Sequence, residues 1–171
     1  PLGNAGALFK LKLTEDFFVI IGDAIFDIDF NRMVDYHRAK GGLVTLFTHP
    51  NSHPYDSGVV IADKDGIVQS WLNKEDKRPL YYKNRVNAGI QLLSPKALEM
   101  SGIDAELVGT EVEGRILKVD MDRQILRPLC GTGKMFCYDS PEYVKDMGTP
   151  ERFHQVEKDF IRGTIKRKQY F

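Results

Sequence analysis

Two aspartates, Asp23 and Asp146, each close an apolar run and stand near a glycine, in Ile21-Gly22-Asp23 and Asp146-Met147-Gly148. In open α/β sheets ligands gather outside the carboxyl ends of strands, so carboxylates there are placed to meet one. Mg²⁺ prefers octahedral oxygen ligation and takes one or two carboxylates plus substrate phosphates, a task for Asp rather than for His or Cys. Either Asp alone reads as turn chemistry after a strand; the two together point to a shared cation. Other groups would complete such a site. The Gly3-Asn4-Ala5-Gly6 lead would let a planar base approach main-chain N–H and C=O groups, because glycine has no Cβ to block the contact. Lys74, after Trp71-Leu72-Asn73, would neutralise a phosphate, although a surface Lys is more often simply solvated. Asn87, in the apolar stretch Val86-Asn87-Ala88-Gly89, must find hydrogen-bond partners, either sugar hydroxyls or neighbouring backbone.

These residues need elements to hold them. Apolar residues at helical spacing predict a short helix over 4–13, and the continuous run over 17–21 predicts a central, parallel strand buried on both faces. Phe30, Met33, Val34 and His37 predict a helix from an Asp29 cap to a stop at Gly41-Gly42, and a strand returns over 43–47. That β–α–β order implies a right-handed crossover and an α/β fold with a mostly parallel sheet flanked by helices. Residues 58–61 and 67–72 flank an Asp65-Gly66 turn signal and predict a hairpin; another strand is expected over 86–93. Short helices are expected over 96–100 and 121–129, and short strands over 135–138 and 143–145. A last helix starts from a Thr149 cap with Pro150 in its first position and runs to about Ile161. Residues 1–162 form one domain in this reading, and 163–171, with Lys166-Arg167-Lys168, a basic tail or linker.

The 171 residues carry 24 Lys+Arg against 24 Asp+Glu, so no overall basic field draws the chain to nucleic acid or an anionic membrane. No apolar run reaches the ~20 residues of a membrane span, and the first residues do not show the basic-then-apolar pattern expected of a secretion signal. With only Cys130 and Cys137, a disulfide framework is excluded and reduced thiols in a cytoplasmic protein are expected.

Six ordered segments are similar to the motifs of the sugar-1-phosphate nucleotidyltransferases: Pro1-Leu2-Gly3-Asn4-Ala5-Gly6-Ala7-Leu8, Ile21-Gly22-Asp23, Asp56-Ser57-Gly58-Val59-Val60, Trp71-Leu72-Asn73-Lys74, Val86-Asn87-Ala88-Gly89-Ile90 and Asp146-Met147-Gly148-Thr149-Pro150-Glu151-Arg152. Lys74 without a following Pro, the lead Tyr82-Lys83-Asn84-Arg85 and the Asp146-Met147 form resemble the branch containing D-glycero-D-manno-heptose 1-phosphate guanylyltransferases. The resemblance implies a Rossmann-like fold of the nucleotide-diphospho-sugar transferase type. It also implies a reaction in which a sugar 1-phosphate attacks the α-phosphorus of a nucleoside triphosphate, GTP for that branch, giving a nucleotide-sugar and pyrophosphate. By motif position it assigns Asp23 and Asp146 to Mg²⁺, Lys74 to the sugar phosphate, Gly58 and Asn87 to the sugar and Gly6 to the base, with Gly3 and Gly89 as further substrate-binding positions. The family's opening Gly-Gly-x-Gly-Thr-Arg-Leu loop and downstream Pro-Lys do not occur in these residues, so an amino-terminally truncated domain is expected, its first strand and helix lying before Pro1. Asn73 stands where many relatives have Glu. The resemblance also allows a homo-oligomer and, in some heptose-pathway relatives, a phosphatase domain after the tail.

Rival readings rest on smaller signals. Asp27-Ile28-Asp29 is the Asp-x-Asp of a metal-dependent glycosyltransferase, but Asp29 already serves as a helix cap. A non-catalytic sugar-phosphate-binding domain is a third reading. His49, His53 and Asp56 lack a closed ligand set for zinc, and Gly131-Thr132-Gly133-Lys134 lacks the spacing of a phosphate-binding loop.

Overall fold

A computed structural model describes residues 2–50, 58–73 and 75–165. Its strands are β1 (Phe17–Ile20), β2 (Ala24–Asp27), β3 (Val44–Pro50), β4 (Val59–Ala62), β5 (Val68–Leu72), β6 (Arg85–Leu93), β7 (Glu111–Val112), β8 (Arg115–Ile116), β9 (Met135–Asp139) and β10 (Tyr143–Asp146). The α-helices are α1 (Phe30–Lys40), α2 (Pro95–Met100) and α3 (Pro150–Ile161). A 3₁₀ turn covers Gly6–Lys10, and a wide helical turn over Met121–Leu126 runs into a 3₁₀ turn at Arg127–Leu129.

The central sheet has the order β1-β6-β3-β9. Strand β6 is antiparallel to both β1 and β3, whereas β3 and β9 run parallel. The sheet is therefore mixed rather than mostly parallel, and β1 is its outer strand among the described residues, half-buried rather than central. The expected crossover is present: β1 and β3 point the same way with α1 between them in sequence, but β6 is inserted between the two. Consequently the carboxyl ends of β1, β3 and β9 face one rim, the place where α/β sheets receive ligands.

Local chemistry sets the helices. Asp29 caps α1 by accepting hydrogen bonds from Asn31 N (3.0 Å) and Arg32 N (3.4 Å), and Gly41 ends it in the left-handed region at φ 62°. Thr149 caps α3, with Pro150 supplying a preset φ at its first position. Alternating side chains of β3 then divide the core: Val44 and Leu46 join a cluster with Val60, Ile125, Leu126 and Met135, while Phe47 joins Met33, Ile90, Leu92 and Val144. Phe47 is fully buried, and truncating such a ring costs about 3–5 kcal/mol. Phe30 connects this second cluster to the rim, meeting Phe18 and Phe26 edge-on at 4.8 and 5.6 Å between ring centroids. His37, buried on α1, is satisfied by Thr45 Oγ1 at 2.7 Å; burial lowers its pKa below the usual range, while Asp16 at 3.5 Å opposes that.

No helix among the described residues is long and apolar enough to cross a membrane.

Candidate functional site

Asp23 follows β1 and Asp146 ends β10, and the short ribbon β2/β10 brings them together. The ladder pairs Ala24 with Asp146, and Met147 N donates to Asp23 O at 2.8 Å, so main-chain bonds hold both residues side by side. Gly148 completes the arrangement. A Cβ placed there would lie 3.3 Å from Asp146 Oδ1 and 3.7 Å from Asp23 Oδ2, so its missing side chain leaves one opening bordered by both carboxylates.

The approach to Asp23 is fixed by Gly89. Its φ of +74° and bare Cα let the Ile21 side chain rest against it, since a Cβ would come within 2.4 Å of Ile21 Cδ1. Ile21 N then donates to Gly89 O at 3.0 Å, extending the β1/β6 ladder up to Gly22-Asp23. Asn87 accepts from Gly89 N through Oδ1 at 3.2 Å, so backbone occupies its carbonyl while its amide donors make no hydrogen bond among the described residues.

Asp146 is ionised and aimed. Burial on its own would raise its pKa, but the Arg152 guanidinium (Nη1 to Oδ1, 2.6 Å) and the Gly148 N–H (3.2 Å to the same oxygen) outweigh it and hold the carboxyl below its usual range. Arg152 is set by the first turn of α3, its own N–H donating to Thr149 Oγ1 at 3.3 Å. Helix α3 is anchored in turn on β10 through the buried Asp159, which accepts from Lys145 Nζ (2.7 Å), Tyr143 OH (2.9 Å) and Gln155 Nε2 (2.7 Å). These bonds, led by that from Lys145, pull the Asp159 carboxyl down to about 2.

Of the remaining expected site residues, Gly58, Gly3 and Gly6 fall among the described ones. Gly58 opens β4 against Trp71, where a Cβ would meet the indole Nε1 at 2.9 Å. Asn73 is engaged by Arg127 through its side-chain oxygen. Gly3 and Gly6 are packed by protein: a Cβ would come within 2.3 Å of Val119 O at Gly3 and 2.7 Å of Leu2 Cβ at Gly6. Lys74, His53, Asp56, Ser57 and the 166–168 cluster lie outside the described residues. Asp29 is used as the α1 cap, which accounts for it without a ligand.

Sequence reasoning gives no separate role to Arg152 or Asp139 at this rim. Arg152 was legible only as part of a motif; its position three residues after the Thr149 cap is the signal that it faces back toward Asp146. Asp139, at the end of β9, is clasped by Lys83 and by Arg85. His49, at the end of β3, has its pKa lowered chiefly by burial and feels the charges of Arg85, Asp139 and Asp146, which places it at the same rim.

The donor set discriminates among cations. No third His, Cys or carboxylate joins the two aspartates among the described residues. Two hard oxygens at a half-open cradle suit Mg²⁺, which keeps waters and accepts phosphate oxygens, and do not suit zinc, which wants a closed set of nitrogen and sulfur ligands.

Comparison with known proteins identifies the family of the chain. The family profile described as "Nucleotidyl transferase" matches residues 2–162. The mannose-1-phosphate guanylyltransferase catalytic subunit beta of Drosophila pseudoobscura pseudoobscura is 30% identical over 168 residues, covering 95% of this chain and 39% of that protein. The mannose-1-phosphate guanyltransferase of Saccharomyces cerevisiae is 26% identical over 175 residues, covering 96% of the chain and 41% of that protein. The chain thus spans about two-fifths of the length of the curated relatives it matches. Among solved structures, HddC from Yersinia pseudotuberculosis superposes with a TM-score of 0.64 at 20% identity, covering 94% of this chain and 63% of that one. The same protein complexed with GMP-PN gives 0.63 at 19%, with the same coverage of both chains. At that identity the likeness concerns the fold.

Proposed function

The chain belongs to the nucleotidyl transferase family, and from that premise we propose that it serves guanylyl transfer from GTP to a sugar 1-phosphate of the mannose or heptose type. The mannose-1-phosphate guanylyltransferases among its relatives support the base and the acceptor class. The observation that carries the reading is the convergence of Asp23 and Asp146 on the opening beside Gly148.

In this reaction an oxygen of the sugar 1-phosphate forms a bond to the α-phosphorus, the bond to the bridging oxygen breaks, and pyrophosphate leaves with that electron pair. The nucleophile is already anionic, so no general base is needed. Catalysis reduces to screening two anions and aligning them for in-line displacement. A Mg²⁺ ion held by Asp23 and Asp146 would supply charge neutralisation on the phosphates. The chain's own residues do the rest. Lys74 is assigned to the sugar phosphate, Gly58 and the amide of Asn87 to sugar hydroxyls, and Gly89 to keeping the Asn87 turn in place. Gly3 and Gly6 would meet the base only through main-chain groups, because protein atoms fill the space beside their Cα atoms.

The test is pyrophosphate release by the whole gene product from GTP with mannose 1-phosphate or heptose 1-phosphate and Mg²⁺. Turnover that depends on Asp23 and Asp146 supports the proposal. Binding of sugar phosphate without turnover would instead favour the non-catalytic reading, and sugar transfer from a finished nucleotide-sugar the glycosyltransferase one.

A further inference from the structure

The Asp23–Asp146 cradle already has a cationic neighbour. Arg152 Nη1 lies 2.6 Å from Asp146 Oδ1, the oxygen that borders the opening at Gly148, and Gly148 N–H donates to that same oxygen at 3.2 Å. A carboxylate oxygen has two lone pairs, and here the two donors occupy both. A cation that ligates Oδ1 must therefore displace one of them. The Gly148 N–H belongs to a backbone tied down by the β2/β10 ribbon and the α3 cap. The guanidinium sits on a long side chain that is 48% exposed, against a carboxylate that is 40% exposed, and can swing away.

We propose that Arg152 is the built-in counter-ion of this cradle, competing with a divalent cation for Asp146 Oδ1 and yielding that oxygen when the cation binds. The inference rests on the reading of Asp23 and Asp146 as cation ligands. Charge balance sets the direction of the exchange. With Arg152 in place the two carboxylates carry one compensating charge; a divalent ion brings two and frees a guanidinium beside the cradle. The arrangement is built rather than incidental, because Thr149 fixes the Arg152 backbone and the Asp159 contacts with Lys145 and Tyr143 fasten α3 to the strand carrying Asp146.

The experiment is a Mn²⁺ titration of the chain read by electron paramagnetic resonance, with no nucleotide or sugar present. Arg152→Met should bind Mn²⁺ roughly 1.5- to fivefold more tightly than the unsubstituted chain, the range expected for removing an exposed ion-pair competitor. Arg152→Gln, which keeps a polar side chain, should gain in the same direction and stands in if the Met variant does not fold. Asp146→Asn should lose binding in either background. Unchanged or weaker Mn²⁺ binding by both Arg152 variants, with binding still lost in Asp146→Asn, overturns the counter-ion role and leaves the cradle intact. Absence of Mn²⁺ binding in every version overturns both the counter-ion and the cradle.

Discussion

At the amino-terminal end, the space beside Gly3 is filled by the Val119 backbone, to which Leu2 and Ala5 are also hydrogen-bonded. Across the molecule, the space beside Gly148 opens between two carboxylates. Both glycines belong to segments that look functional in the sequence, yet the first is needed so that two stretches of main chain can touch, and the second so that a cation and phosphate can enter. A glycine in a motif therefore reports close approach, and only the surroundings say of what.

That contrast predicts opposite consequences for the two regions. The largest effect belongs to the rim: Asp23→Asn or Asp146→Asn should lower kcat/KM for nucleotidyl transfer by about 10²- to 10³-fold, with stability in urea changed by less than about 1 kcal/mol, loss of the exposed Asp146–Arg152 pair included. Equal losses of stability and activity would erase the distinction. Next comes Gly3→Ala, where φ of +81° and the Val119 contact should cost about 2–4 kcal/mol of stability in urea unfolding. Gly148→Ala should show the reverse pattern, with stability within about 0.5 kcal/mol and Mn²⁺ affinity reduced about tenfold, because its backbone is unstrained and its new methyl would intrude on the cradle. The smallest effect concerns the anchor behind the rim. The Asp159 carboxyl titrates lower in the fold than when unfolded, so its contribution is present above the ordinary carboxylate range and is lost as pH falls from about 4 toward about 2. Urea midpoints recorded through that window should fall less steeply for Asp159→Asn than for the unsubstituted chain.

Much of this was readable from residue order, and the rest fails for identifiable reasons. Caps and breakers are local, so α1 between Asp29 and Gly41 and α3 from Thr149-Pro150 to Ile161 match their expected limits. The hairpin around Asp65-Gly66 follows from turn chemistry in the same way. Strand order is not local. The apolar run over 17–21 looks the same whether its neighbour is parallel or antiparallel, and nothing in it announces that β6 will come between β1 and β3. Strand β2 went unseen because its four residues are all half-buried and show no alternation. The convergence of Asp23 with Asp146 depends on that unseen strand, whose pairing with β10 supplies the distance that motif spacing alone left open.

Because Ala24 and Asp146 are ladder partners and Met147 is bonded to Asp23, the two carboxylates ride on one hydrogen-bonded two-strand ribbon, like the tines of one fork. Substitutions in the interior beneath, at Val144 or Phe26, would tilt or shift that fork as a whole while preserving the gap between its tines. Distant changes should thus alter where an ion is presented to its partners long before they alter which ion is chosen.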